Sequence, residues 1–318
     1  MGSNTKIIKR RITSVKNTRK ITKAMEMVAA AKMRRAVQAA INTRTYATLA
    51  WEMLVNLAKT ECAALPLLAV RPVEHLLIVL VTANRGLCGS LNSNIIRKTA
   101  EQLKNPKNIS QHRLRNGFRL EPKDALGVEI IGVGKKGAEF ARKVKQPLVA
   151  SFSDLPDTPG LNDILTLTRL IIDGYEKKEY DKIVIAYTEY RSPLLQIAKL
   201  RQVLPISEID LEKMLQGLPE TPSVHPAGMI EIENDYLFEP NSVEVLRLIL
   251  PRLVETQIYQ SILESAASEH SARMMAMRSA NDAAGEMIDE LTLSFNKARQ
   301  AGITQEIAEI ASGAAALE

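Results

Sequence analysis

Two short stretches carry residue types whose spacing could do chemistry. Gly132-Val133-Gly134-Lys135-Lys136-Gly137 matches a dinucleotide fingerprint, follows a β-branched run and opens a helical one. Glycines in that position let a phosphate approach the backbone, and a helix amino terminus attracts anions. The acid that holds a ribose should then lie about 20 residues on, after the next strand. Asp154 and Asp157 are near that distance, but they sit at the segment 151–156, which reads as a loop. The second stretch runs from Thr82 through Asn84, Arg85, Gly86 and Cys88 to Ser90, again between a strand and a helix. It lacks the lysine and the spacing of a P-loop. Cys88 has no obvious histidine partner, because His75, His112, His225 and His270 are scattered. It reads as a small packed thiol. No carboxylate pair or metal-ligand cluster stands out, so the sequence offers no catalytic, cofactor-binding or metal-binding residue. The glycine pattern reads as a tight strand-to-helix turn, with a nucleotide-dependent α/β enzyme bearing a coiled-coil arm as the alternative.

The elements around these stretches are unusual. Residues 5–60 contain no proline and no glycine. Apolar residues recur at Ile8, Ile12 and Val15, then Ile21, Met25, Val28 and Ala29, then Met33, Val37 and Ala40. That is helical spacing, and some 55 residues at 1.5 Å each would reach roughly 80 Å. Such a helix needs a partner of similar length. Asn241 followed by Glu244 resembles a helix start. Helical spacing continues through Leu253, Ile262, Met277, Met287, Ile288 and Phe295. Pro251 predicts a bend or a late start, while Gly285 and Gly302 are weaker interruptions. Between the two long segments lie short β-branched runs at 75–82, 128–133 and 182–187. They alternate with helical stretches at 92–103, 136–144 and 162–177. This pattern predicts an α/β domain with a mainly parallel sheet. The fold class is α/β: a long antiparallel coiled coil of amino- and carboxyl-terminal helices with an inserted Rossmann-like α/β domain. The expected boundaries are 1–60, 70–235 and 240–318. A polar loop is expected at 105–123, and a proline-bearing connection, with a short helix near 211–215, at 205–227.

Charge is uneven along the 318 residues, whose net charge is +6. Residues 1–44 hold many lysines and arginines against the single acid Glu26, whereas the segment from Glu239 onward is acidic. A basic arm suggests nucleic acid, an anionic membrane or an acidic protein surface. Stacking aromatics are absent from the arm, and no DNA-binding module follows it, so nucleic acid is not expected. Opposite charge on the two long helices suits their pairing. The two cysteines, Cys62 and Cys88, make neither a disulfide scaffold nor a zinc site. No signal-peptide core follows the basic start, and no stretch of about 20 apolar residues offers a membrane span.

Longer motifs carry a resemblance. Residues 11–33 (RITSVKNTRKITKAMEMVAAAKM), 268–278 (SEHSARMMAMR) and 291–316, together with Arg85-Gly86-Leu87-Cys88-Gly89, resemble signatures of the γ subunit family of F-type ATP synthases. The matches lie at both ends and in the middle. The resemblance implies a non-catalytic central rotor shaft that transmits torque between the membrane c ring and the catalytic α3β3 hexamer. It implies α, β and ε subunits and the c ring as partners, no cofactor, and a place at the cytoplasmic face of a bacterial plasma membrane.

By position, the resemblance puts Lys23, Met25, Arg273, Arg299, Gln300 and Thr304 at contacts with the α/β hexamer. It puts Tyr236, Phe238 and Glu239 in the foot that meets the c ring and ε. Ser90 departs from the family's second glycine, and 105–123 is longer than the common bacterial form. The region 191–235 has no cysteine, so the regulatory disulfide of the chloroplast form is not expected.

Overall fold

The computed structural model describes residues 2–57, 65–105, 109–111, 126–206 and 241–315. In chain order the elements are α1 (Gly2–Leu57), β1 (His75–Val81), α2 (Leu91–Lys104), β2 (Gly127–Val133) and α3 (Lys135–Val144). They continue with β3 (Leu148–Phe152), α4 (Leu161–Glu176), β4 (Lys182–Ser192), β5 (Leu195–Leu204) and α5 (Ser242–Ala315). The chain forms two compact units, Met1–Ala30 with Arg273–Glu318, and Ala31–Ala272. Both boundaries fall inside α1 and α5.

The larger unit holds a five-stranded sheet in the order β3-β2-β1-β4-β5. β1 pairs in parallel with β2 and β4, and β2 pairs in parallel with β3. β5 returns antiparallel along β4. The centre of the sheet is buried on both faces, which is why β1 from Leu76 to Val81 and β4 from Ile183 to Tyr187 are continuous apolar runs. One face packs against α4 and the first turns of α5 through residues such as Ile164, Ile171, Leu250, Val254 and Ile258. The other packs against α2 and α3 through Ile95, Phe140 and Ala141. The unit also contains a helix pair: Ala40 of α1 packs against Leu263 of α5, and Ala36 against Ala267 beside Tyr190. Residue numbers rise on one helix as they fall on the other, so the pair is antiparallel.

In the smaller unit the inward positions of α1 are Ile8, Ile12, Val15, Thr22 and Ala29, and those of α5 are Met277, Ala284, Ile288, Leu291 and Phe295. These steps of three, four and seven give a seven-residue repeat, the signature of a coiled-coil seam. Three expected seam residues face outward instead: Ile21 is 61% exposed, Val28 54% and Met287 51%. Thr22 takes the inward place that Ile21 was expected to hold. Arg19 lies on the same repeat, and a Cβ added to Gly285 would sit 3.5 Å from its guanidinium carbon. Gly285 is thus the space for an arginine at the helix–helix contact, again with α1 and α5 antiparallel.

The start of α5 matches its sequence signal. Asn241 Oδ1 accepts the Glu244 amide at 2.8 Å, so Asn241 is the amino-terminal cap. The helix passes through Pro251; the late start that proline suggested does not occur.

The α5 segment over the sheet is polar where it meets β4 and β5. Glu264, only 1% exposed, accepts from Gln260 Nε2 at 3.1 Å. Burial raises its carboxyl to about 7, against the pull of Arg201, the Gln260 hydrogen bond and Lys199, while Glu189 adds to the rise. Arg201 lies 5.1 Å from the Tyr187 ring centroid. Lys199 and Arg191 both lie 2.7 Å from the Glu189 carboxylate.

Two outcomes test this packing. Gly134 has φ +90°, and a Cβ there would meet the Thr82 carbonyl oxygen at 2.1 Å. Gly134→Ala should therefore lower stability by about 2–4 kcal/mol, read from the urea midpoint of the full chain. Glu264 holds its proton in the folded state up to about pH 7, above its ordinary value of 4.5. Its contribution is therefore fully favourable below the ordinary value and is lost as pH rises through 7. Glu264→Gln should be more stable than the parent at pH 8 by roughly 2–3 kcal/mol, with the gap closing toward pH 4.5. An equal gap at both values would contradict a buried, proton-holding carboxyl.

Candidate functional site

A doubly wound sheet places its ligand crevice beyond the carboxyl ends of the strands, where the strand order reverses. Here that point lies between β1 and β4. The glycine turn after β2 stands beside it, and both are filled by the chain itself.

The first turn of α3 points its amides at side chains rather than at an open cradle. Lys135 N–H donates to Asn84 Oδ1 at 3.0 Å, and Gly137 N–H donates to Thr82 Oγ1 at 2.8 Å. Gly134 N–H is taken by the Phe152 carbonyl at 2.8 Å. The glycines serve close packing: a Cβ on Gly132 would lie 3.0 Å from the Ala138 nitrogen, and one on Gly137 would lie 3.1 Å from the Leu80 oxygen. An anion arriving at this helix end would have to displace Asn84 and Thr82. Asp154 and Asp157 follow β3, where a ribose-binding acid would be sought. Asp157, however, is paired with Lys32 of α1. The Lys32 hydrogen bond and charge hold its carboxyl below the usual carboxylate range, against partial burial. Next to it, His270 Nε2 lies 3.2 Å from the Asp157 carbonyl oxygen.

Residues 265–272 of α5 occupy the crevice proper. Ser265 Oγ accepts the Thr188 amide at 3.0 Å, and Ser268 Oγ donates to the Thr188 carbonyl at 3.1 Å. Ala272 packs against Ala83, Cys88 and Leu91 at the end of β1. Cys88 is 2% exposed and accepts from Asn92 Nδ2 at 3.3 Å, as a packed thiol would. Cys62 lies outside the described residues. The serines carried no signal of their own in the sequence; Asn84, three residues past the end of β1, was the one available hint. Among the described residues no group of histidines, cysteines and carboxylates could hold a metal ion.

The positions drawn from the resemblance lie elsewhere. Lys23, Met25, Arg273, Arg299, Gln300 and Thr304 all belong to the smaller unit. Lys23 is exposed and pairs with Glu26 on its own helix at 3.0 Å. Met25 and Arg273 are half-buried, whereas Arg299, Gln300 and Thr304 are exposed. Thr304 Oγ1 donates to the Gln300 carbonyl at 3.0 Å. Gln300 and Thr304 share a helix face at one-turn spacing, but Arg273 lies on the order of 40 Å further back along the helix. The structure therefore groups these residues into separate patches rather than one site. Tyr236, Phe238 and Glu239, and most of 105–123, lie outside the described residues. So do the connection from 207 to 227 and its expected short helix.

Comparison with known proteins agrees with this geometry. Residues 4–317 match the ATP synthase family. The chain is 41% identical over 318 residues to the ATP synthase gamma chain of Dehalococcoides mccartyi, covering 99% of each chain. It is 43% identical over 319 residues to that of Herpetosiphon aurantiacus, covering 98% of this chain and 97% of the relative. Its fold resembles a chain of the Euglena gracilis mitochondrial ATP synthase (OSCP/F1/c-ring assembly). That match has TM-score 0.63 and 21% identity, and covers 100% of this chain and 95% of that one. A chain of the central stalk and c-ring structure of the Tetrahymena thermophila mitochondrial enzyme matches with TM-score 0.55 and 22% identity. It covers 82% of this chain and 99% of that one. With nearly its full length aligned to gamma chains, and the crevice at the carboxyl end of its sheet occupied by its own helix, the chain belongs to the ATP synthase family as a γ subunit.

Proposed function

We infer that this chain is the non-catalytic central shaft of a rotary ATP synthase, carrying torque between the membrane c ring and the α3β3 hexamer. The observation that carries this reading is the end-to-end similarity to gamma chains, joined to a sheet whose crevice is plugged by α5. Nucleotide chemistry then belongs to partner subunits, because α5 occupies the crevice that the dinucleotide-enzyme alternative would use. Among the described residues no helix is long and apolar enough to cross a membrane. Attachment to the membrane is therefore assigned to the c ring, with the chain at the cytoplasmic face of a bacterial plasma membrane.

The contact assignments belong to the same reading. Lys23 and Met25 meet an acidic loop of β, and Arg273, Arg299, Gln300 and Thr304 meet β higher on the shaft. Tyr236, Phe238 and Glu239 form the foot against the c ring and ε. Support comes from the outward apolar side chains of the smaller unit: Ile21, Met27 and Val28 on α1, and Ile303, Ile307 and Ile310 on α5, are 49–74% exposed. A chain alone in water would gain nothing from such a surface, whereas one enclosed by a sleeve of partners needs it.

The test uses the assembled complex. The purified chain alone should show no ATPase activity and should assemble with α and β subunits. Met25→Lys adds a second cation beside Lys23 at a moving contact. It should lower protons pumped per ATP hydrolysed by roughly twofold while hydrolysis continues, the scale of one exposed charge interaction. An unchanged pumping ratio would remove Met25 from the contact.

A further inference from the structure

Strand β4 outlasts its neighbour. Pairing between β1 and β4 ends at Leu80 with Ala186, yet β4 runs on to Ser192. Thr188 pairs with Ala198 of β5 on one edge. Its own N–H and C=O serve the other edge, where β1 no longer runs, and there Ser265 and Ser268 take both. At the end of the hairpin Ser271 Oγ donates to the Pro193 carbonyl at 2.9 Å, and Gln196 Nε2 reaches Ser271 Oγ at 3.4 Å. The three serines fall at three-residue steps on one face of α5, each at most 8% exposed.

We infer that Ser265, Ser268 and Ser271 form a torsional key: they fix the rotation of α5 about its own axis against the sheet. Load applied to the α/β domain then enters the helix instead of slipping past it. This inference rests on the central-shaft reading and names positioning residues for it. The physical argument is one of direction. Apolar contact is non-directional and tolerates small rotations. A hydrogen bond weakens steeply once its angle falls below about 120°. Turning a helix by roughly 20° moves an atom about 5 Å from its axis by nearly 2 Å, enough to break all three bonds together. The serines' partners, the Thr188 amide and carbonyl and the Pro193 carbonyl, cannot follow the helix, because they are backbone groups of the β4–β5 hairpin. Ser261 provides the contrast. It is as deeply buried, but its hydroxyl donates to the Gln257 carbonyl of the same helix at 2.9 Å, so it ties α5 to nothing else.

Two measurements test the key. In the full chain, amide hydrogen exchange at Thr188 should quicken about tenfold in Ser265→Ala and stay unchanged in Ser261→Ala. In the assembled complex, with the hexamer immobilised and a probe on the α/β domain, angular fluctuations report torsional stiffness. The triple variant Ser265→Ala, Ser268→Ala, Ser271→Ala should be about twofold softer or more, with Ser261→Ala as stiff as the parent. If the triple variant does not assemble, Ser268→Ala alone should give a smaller softening of the same sign. Unchanged stiffness despite faster Thr188 exchange overturns the key, since the bonds would then bear no load. Equal softening in Ser261→Ala also overturns it, by reducing the effect to loss of buried packing. A parent chain that joins no rotating assembly would sink the central-shaft reading, and the key with it, while Thr188 protection would still report the bonds themselves.

Discussion

In proteins most helical stability comes from packing an apolar face rather than from the backbone ladder, and the 74-residue α5 needs partners for the apolar part of its course. The rest of the structure follows from how α5 meets that requirement, because its partner changes along its course. From Leu246 to Ile262 it lays an apolar face on the sheet. From Ser265 to Ser271 it offers hydroxyls to the β4 edge. Leu263 and Ala267 turn toward α1 within the same unit. Beyond Arg273, in the smaller unit, α1 is again the neighbour, through small and medium side chains in seven-residue steps. Alanine and glycine at these contacts are therefore requirements of close approach. Ala36 and Ala267 leave room for Tyr190, and Gly285 leaves room for Arg19.

The polar layer where α5 crosses the sheet is held by the same logic. A buried polar group costs stability unless it is bonded, and a buried charge costs more. Gln257 solves this by donating to the Gln202 carbonyl at 3.2 Å. Glu189 solves it with two cations, Lys199 and Arg191. Glu264 has weaker support, one amide and the more distant charge of Arg201, and it retains its proton to about pH 7 instead. Directional bonds give the helix one angle and one height against the sheet, which apolar contact alone does not specify.

Much of this architecture was legible in the sequence, and what was not has physical causes. The runs at 75–82, 128–133 and 182–187 announced β1, β2 and β4 because those strands are buried on both faces. β3 gave no such run: its five residues alternate in burial at the sheet edge. β5 was hidden by Lys199 and Arg201, which face the polar layer rather than an apolar one. Helical spacing found α1 and α5, but it could not choose between Ile21 and Thr22 for the seam. A repeat of 3.6 and one of 3.5 diverge by about 20° per heptad, so the choice depends on supercoiling against a partner. The contact positions proposed from Lys23 to Thr304 rest on family resemblance alone. Their residue types are those of any exposed helix, and nothing in their spacing marks them.

The glycine motif shows why a fingerprint alone does not decide function. Its geometry is real: β2 ends, the chain turns tightly at Gly134, and α3 presents its amino terminus. A phosphate site needs those amides unoccupied and the neighbouring crevice open. Asn84 and Thr82 use the amides, and Ala272 with the serines of α5 fills the crevice. The turn that could cradle a nucleotide is here a means of bringing strand and helix backbones together. The carboxyl end of the sheet, where doubly wound enzymes hold a ligand, instead grips a helix of the same chain. Such a fold has exchanged a binding site for a mechanical joint, and its function must be sought in what α5 does beyond the sheet.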